Sequence, residues 1–153
     1  MKSPLDLSAP AAQAELPPIA ERLGYLGAAA FIFGAFLTWV VRPELYPIVA
    51  LMMSAYAAVI VSFLGAIHWG VAMRGAQMNA WPFVWGITPG LLAWIAVVMP
   101  PSAGLVLHGL LLVLCYLVDR RLYTAQGLAH WLTLRFRLTG LASFSCFMAA
   151  AAI

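Results

Sequence analysis

Five long apolar runs, separated by short polar or proline-containing segments, make up most of the chain. A membrane-spanning helix needs about 20 largely apolar residues, with a usual range of roughly 17–25. The pattern therefore predicts an all-α integral membrane bundle of five transmembrane helices within a domain at 22–153. The spans are placed at residues 23–41, 48–73, 83–99, 102–118 and 138–153.

Two segments lie outside the predicted spans. Residues 1–21 are rich in alanine and proline without a hydrophobic period, which is typical of a disordered cytoplasmic tail. Between 125 and 135, Leu128, Trp131 and Leu132 recur at helical spacing, which predicts a short helix in the membrane interface. The alternative is an irregular loop whose tryptophan lies at headgroup level.

The basic residues predict the orientation of these five spans. One side would hold seven of them, and the other side would hold only Arg42. Because cytoplasmic loops carry the excess of arginine and lysine, the N-terminus is predicted inside and the C-terminus outside. The seven are Lys2, Arg22, Arg74, Arg120, Arg121, Arg135 and Arg137.

The composition agrees with a membrane protein. Hydrophobic residues are 65% and charged residues 8% of the chain, against roughly 45–50% and 25% in soluble domains. So few charges do not cover the surface of a soluble fold. The net charge of +3 is too small and scattered to indicate nucleic-acid binding. The lipid bilayer is the expected surrounding.

Small residues indicate where helices pack. The second span has a row of five at a spacing of four, and the third span carries a pair at the same spacing. Such rows let helix backbones approach closely in lipid, within this chain or against another subunit. The predicted packing residues are Ser54, Ala58, Ser62, Ala66, Gly70, Gly86 and Gly90.

Ionisable residues within spans are candidates for function because lipid makes them costly. His68 and Asp119 both fall near the inner ends of their spans. Asp119 opposes the helix dipole there, so it needs a cationic partner, with Arg74 or Arg120 as the nearest candidates. Two interpretations remain open. In the structural one, Asp119 forms a stabilising ion pair and His68 forms a hydrogen bond to a neighbouring helix. In the functional one, these residues form a polar site for a ligand.

Trp69 and Trp85 lie further inside their spans than the other tryptophans, so they either line a cavity or pack in the core. No catalytic motif or metal-ligand spacing occurs in the sequence, which favours a non-enzymatic role. His68 and His108 are predicted at depths roughly 10–20 Å apart, so they do not suit one haem iron. Cys115 and Cys146 fall within different predicted spans, and we interpret them as small apolar residues.

The segment from Ser62 to Gly70, with the sequence Ser-Phe-Leu-Gly-Ala-Ile-His-Trp-Gly, resembles a known family. It is similar to the domain of unknown function 3429 family of five-span membrane proteins, which includes a mitochondrial relative, transmembrane protein 69. The likeness continues through Pro89, Asp119 and Trp131. The resemblance implies a bacterial inner-membrane location and brings no established activity.

Three functions are compatible with the sequence. The first is an accessory or assembly subunit that contacts other membrane-protein subunits through its helices and requires no cofactor. The second is a binder or carrier of a quinone or tetrapyrrole, with His68, Trp69 and Trp85 lining the pocket and Arg74 or Asp119 at its polar end. The third is an ion or proton path, for which the spans hold few relay groups.

Overall fold

The computed structural model describes residues 16–75 and 79–153, and the part of the chain that it describes is an all-α bundle. The connections between its helices are short. The five long helices are α1 (Pro18–Val40), α2 (Tyr46–Arg74), α3 (Trp81–Val98), α4 (Pro101–Ala125) and α5 (Leu132–Ala152).

Proline positions account for where the first four helices begin. Each has a proline in its first two positions, where the missing N–H is not needed for an intrahelical hydrogen bond. A short 3-10 turn at Pro43–Leu45 leads into α2. The proline-containing separators in the sequence are therefore helix starts as well as helix breaks.

Four of the helices are long and apolar enough to cross a membrane, which supports a membrane protein. They are α1, α2 with its preceding 3-10 turn, α3 and α4. The fifth predicted span lies within α5, whose 21 residues match the length of a span. Arg135 and Arg137 lie in its first two turns and make that part of the helix less apolar than the rest.

The structure differs from the prediction on both sides of the fourth loop. The fourth predicted span ended at residue 118, whereas α4 continues to Ala125. The interfacial helix predicted at 125–135 is reduced to a short 3-10 turn at Ala129–Trp131. Gly127 adopts a φ of 73°, which favours glycine and ends the helix. The Leu128 N–H donates to the Tyr123 carbonyl at 2.8 Å, and α5 has already begun at Leu132.

The predicted disordered tail falls mostly on residues 1–15, which lie outside the described residues. Its last part is helical, because α1 begins at Pro18 rather than near residue 23. The remaining predicted span ends lie within about three residues of the observed helix ends, which is the ordinary uncertainty of such boundaries.

The bundle has a mainly apolar interior with a few buried polar groups, and its surface is apolar as well. Its buried residues include His68, His108, Asp119 and Arg135, whereas large side chains such as Phe33 are exposed. Soluble proteins rarely expose so much contiguous apolar surface, so this surface fits a bundle surrounded by lipid. α2 packs most extensively against α3, α4 against α5, and α1 against α5 rather than against α2.

Candidate functional site

A buried polar cluster of three side chains joins α2, α4 and α5. His68 Nε2 donates to Asp119 Oδ1 at 2.8 Å. Arg135 Nε donates to Asp119 Oδ2 at 3.1 Å, and Arg135 Nη2 donates to the same oxygen. His68, Asp119 and Arg135 are 1%, 1% and 8% exposed. Both carboxylate oxygens are therefore satisfied by protein groups away from water.

The helix directions explain why these three residues meet. His68 lies six residues before the end of α2, and Asp119 lies six residues before the end of α4. With a rise of 1.5 Å per residue, both are about 9 Å from their helix ends. Arg135 lies in the first turn of α5, which runs back in the opposite direction. All three therefore reach the same end of the bundle.

The partner of Asp119 is Arg135, so the prediction of Arg74 or Arg120 is wrong. Arg74 is exposed at the end of α2, and Arg120 is exposed on α4. Neighbouring residues on a helix point in different directions, so the Arg120 side chain does not lie on the side of α4 where the Asp119 carboxylate is buried. The cluster supplies a cation and an imidazole donor to a carboxylate that the helix dipole disfavours.

A cavity of about 630 Å³ lies beside this cluster, between α1, α2, α4 and α5. Ligand sites in proteins usually have volumes of roughly 300–1,000 Å³. Its walls are almost entirely apolar and include Ala28, Leu64, Leu112 and Ala142. The cavity therefore has the size and lining of a site for a lipophilic molecule.

The side chains of the cavity wall that carry polar groups are those of Tyr123, Trp131, Arg135 and Thr139. Arg135 connects the cavity to Asp119 and His68. Thr139 Oγ1 is buried and has no hydrogen-bond partner among the described residues. A buried hydroxyl without a partner is costly, so this group is available to a ligand.

The mouth of the cavity lies between α1 and α2. These helices touch where the Tyr56 hydroxyl donates to the Gly27 carbonyl at 3.0 Å and where Gly34 meets Met53. Toward the end of the bundle that holds the polar cluster, Leu23 and Phe63 line the cavity yet are 58% and 61% exposed. This arrangement opens the cavity sideways, to the surrounding lipid.

None of the five predicted ligand residues lines this cavity, and three of them also lie apart from the polar cluster. Trp69 packs edge-on against Phe83 and donates its Nε1–H to the Phe83 carbonyl at 2.8 Å. Trp85 stacks on Trp81 with a centroid distance of 6.3 Å. Arg74 is exposed. Of the five candidates, only His68 and Asp119 contact each other, and they reach the cavity through Arg135.

The residues of the predicted small-residue row of α2 do not share one packing contact, because some are buried and others are exposed. Ser54 is buried, with its Oγ 3.3 Å from His108 Nδ1, and Ala58 is half-buried. Ser62 lies against Gly90 of α3. Ala66 and Gly70 are exposed.

The closest approach of α2 and α3 lies one residue away from that row, where Gly65 meets the backbone of Gly86. A shallower groove of about 390 Å³ runs beside this contact, lined by Ser62, Ala66 and Trp69 among others.

The other groups with chemical potential lie apart from the cluster. His108 lies in the half of the bundle away from the cluster, with its Nδ1 2.8 Å from the Gly104 carbonyl oxygen. Cys115 and Cys146 are free and buried. In the ranges 16–75 and 79–153, no group of three or more histidine, cysteine or acidic residues is placed to hold a metal ion.

Sequence reasoning missed Tyr123, Arg135 and Thr139 as site residues. Arg135 was counted only as a basic residue of the inner side, because the fifth span was taken to begin at 138. The available signal was the spacing of Arg135 and Thr139, since residues four apart share one face of a helix.

Comparison with known families gives one match. The sequence profile described as "Protein of unknown function (DUF3429)" matches residues 16–151. This match confirms the family resemblance seen in the sequence, and the likeness to the mitochondrial membrane protein stays a prediction. No curated protein matches the chain. No solved structure matches it.

Proposed function

The chain belongs to the DUF3429 family of proteins of unknown function, and we propose that it binds a lipophilic small molecule within the membrane. The observation that carries this proposal is the cavity of about 630 Å³ with apolar walls and polar groups at one end. A quinone has this division into an apolar chain and a polar head. A haem-type tetrapyrrole fits less well, because its iron would need an axial ligand and no histidine is among the described lining residues.

We also propose that the protein crosses a bacterial inner membrane five times, with the N-terminus in the cytoplasm. Counting α5 as a span leaves seven of the eight basic residues on one side, as the positive-inside rule requires. The burial of Arg135 against Asp119 supports this count, since a paired arginine can lie within a span. The cavity then lies in the cytoplasmic half of the bilayer.

The orientation is tested by cysteine labelling with a membrane-impermeant reagent. Arg42 and Arg121 are exposed and lie on opposite sides in the five-span arrangement. We expect Arg42→Cys to react from the periplasmic side and Arg121→Cys to react only when the cytoplasmic side is accessible. The native cysteines are buried, so the unsubstituted protein serves as the control. Equal labelling of both variants from the cytoplasmic side would contradict the arrangement.

The cavity is tested by filling it. Ala142 is buried in the cavity wall, and Ala142→Phe would place a phenyl ring in the space proposed for the ligand. We expect native mass spectrometry of gently extracted protein to show a bound small molecule whose occupancy falls at least tenfold in this variant. Ala30→Phe is the matched control, because Ala30 is exposed on α1. Circular dichroism of both variants establishes that they are folded, and equal ligand occupancy in both would refute the proposal.

An accessory or assembly subunit is the second candidate function. It is favoured by Ser62, Ala66 and Gly70, which are exposed on α2 and offer a surface of small residues for another helix. The same native mass spectra distinguish the two functions. A stoichiometric partner chain without a small molecule would support the accessory subunit, and a single chain with a defined ligand would support the cavity.

A further inference from the structure

The Thr139 hydroxyl differs from the other buried serine and threonine hydroxyl groups of the described chain. Thr38, Ser143 and Ser145 each donate to a carbonyl in the preceding turn of their own helix, and Ser54 meets His108. Thr139 Oγ1 has no such partner, although the residue is only 6% exposed and lines the cavity. Its O–H is therefore an unused donor in the cavity wall.

Arg135 lies four residues before Thr139 and lines the same cavity. Residues at this spacing share one face of a helix, so α5 presents a guanidinium and a hydroxyl side by side. Arg135 uses Nε and Nη2 for Asp119, which leaves Nη1 outside the ion pair. Thr139 therefore offers an unused donor, and Arg135, which Tyr123 of the same cavity wall also approaches, offers a second donor through its remaining Nη1.

The charge at this end of the cavity is already balanced. The positive charge of Arg135 is paired with the carboxylate of Asp119, and the cavity wall holds no second arginine or lysine among the described residues. An anionic headgroup would therefore bury a negative charge without its own counter-ion, which is costly in an apolar site. An uncharged acceptor carries no such cost.

We infer that the head of the ligand is an uncharged carbonyl group, as in a quinone, which accepts hydrogen bonds from Thr139 Oγ1 and Arg135. This inference rests on the proposed function and names its ligand class. The apolar chain of the ligand lies along α1 and α2 and reaches lipid between Leu23 and Phe63. The balanced charge disfavours a phosphate-headed isoprenoid with a similar chain.

The test compares two probes in detergent solution: decylubiquinone, which is neutral, and geranylgeranyl monophosphate, which is anionic. Trp131 lines the cavity, so quenching of tryptophan fluorescence reports quinone binding, and isothermal titration measures both probes. We expect the unsubstituted protein to bind decylubiquinone at least tenfold more tightly than the phosphate. Thr139→Val removes only the hydroxyl and should weaken quinone binding about three- to tenfold, the usual effect of one hydrogen bond.

Thr88→Val is the matched control, since the Thr88 hydroxyl already donates to the Val84 carbonyl on α3. Quinone binding should be unchanged in this variant. Ala142→Phe distinguishes the proposed function, which is ligand binding in the cavity, from the inference about the headgroup. If Ala142→Phe prevents quinone binding but Thr139→Val does not weaken it, the cavity stands and the headgroup inference is wrong. Tighter binding of the phosphate overturns the inference too, and quinone binding unaffected by either variant overturns the proposed function itself.

Discussion

Asp119→Asn is expected to lower the free energy of unfolding by about 3 kcal/mol, because it leaves Arg135 buried without a counter-charge. The substitution keeps the size of the side chain and removes its charge. Asp119 is the acceptor for both His68 and Arg135, so the change affects the contact between three helices. Unfolding of the purified protein in detergent, followed by circular dichroism, measures the loss.

Two further variants show whether the lost charge is the cause. Replacing both charged residues, in Asp119→Asn with Arg135→Gln, should recover part of the stability, since it leaves no buried charge without its partner. Arg137→Gln is the control for the arginine, because Arg137 is exposed on the same helix and exposed substitutions usually change stability by less than about 0.5 kcal/mol. A single Asp119→Asn variant as stable as the unsubstituted protein would show that the ion pair does not hold the helices together.

The sequence was sufficient to predict the helices and part of the polar cluster. Apolar runs of spanning length identify helices because lipid leaves backbone groups no other partner. The same reasoning singled out His68 and Asp119, since polar groups in lipid need a reason to be there. Their arrival at one end of the bundle followed from alternating helix directions alone.

The same reasoning did not identify Arg135 as the partner of Asp119, and the cause is physical. Hydropathy falls at Arg135 and Arg137, so a span defined by apolar residues begins after them. α5 nevertheless begins at Leu132, because a buried carboxylate can compensate the charge of Arg135. A helix boundary near charged residues thus depends on their tertiary partners, which a single sequence does not contain.

The cavity could not be predicted from the sequence either. It exists because α1 packs mainly on α5 and approaches α2 only near Gly27 and Gly34. Such a gap depends on helix tilt and on the sizes of side chains from four helices. Trp69 and Trp85 suggested a pocket because they lie further inside their spans than the other tryptophans, but position along a helix does not show which way a ring points.

The cluster and the cavity are coupled through α5. The ion pair with Asp119 fixes the position of Arg135, and Thr139 follows one helical turn later on the same face. The register that satisfies the buried charge therefore also directs the unpaired hydroxyl to the cavity. This coupling explains why the residues that stabilise the bundle and those proposed to bind the ligand are neighbours.

Gly65→Ala is expected to lower the free energy of unfolding by about 3 kcal/mol, a large value for an added methyl group. A Cβ at this position would overlap the carbonyl of Gly86. The Gly86 carbonyl belongs to the backbone, so it cannot rotate away as a side chain could. Helix α2 must therefore move away from α3. The higher helix propensity of alanine, about 1 kcal/mol, offsets only part of this cost.

Gly70→Ala provides the matched control on the same helix. Gly70 has nothing within 4 Å of the position of its Cβ among the described residues, so alanine there should leave the stability unchanged or raise it by up to about 1 kcal/mol. The small-residue row in the sequence includes Gly70 and omits Gly65, whereas the packing predicts the opposite order of sensitivity. Unfolding of the two variants under identical detergent conditions tests this order. If Gly70→Ala lowers the free energy of unfolding more than Gly65→Ala does, the exposed row, and not the contact with Gly86, holds α2 in place.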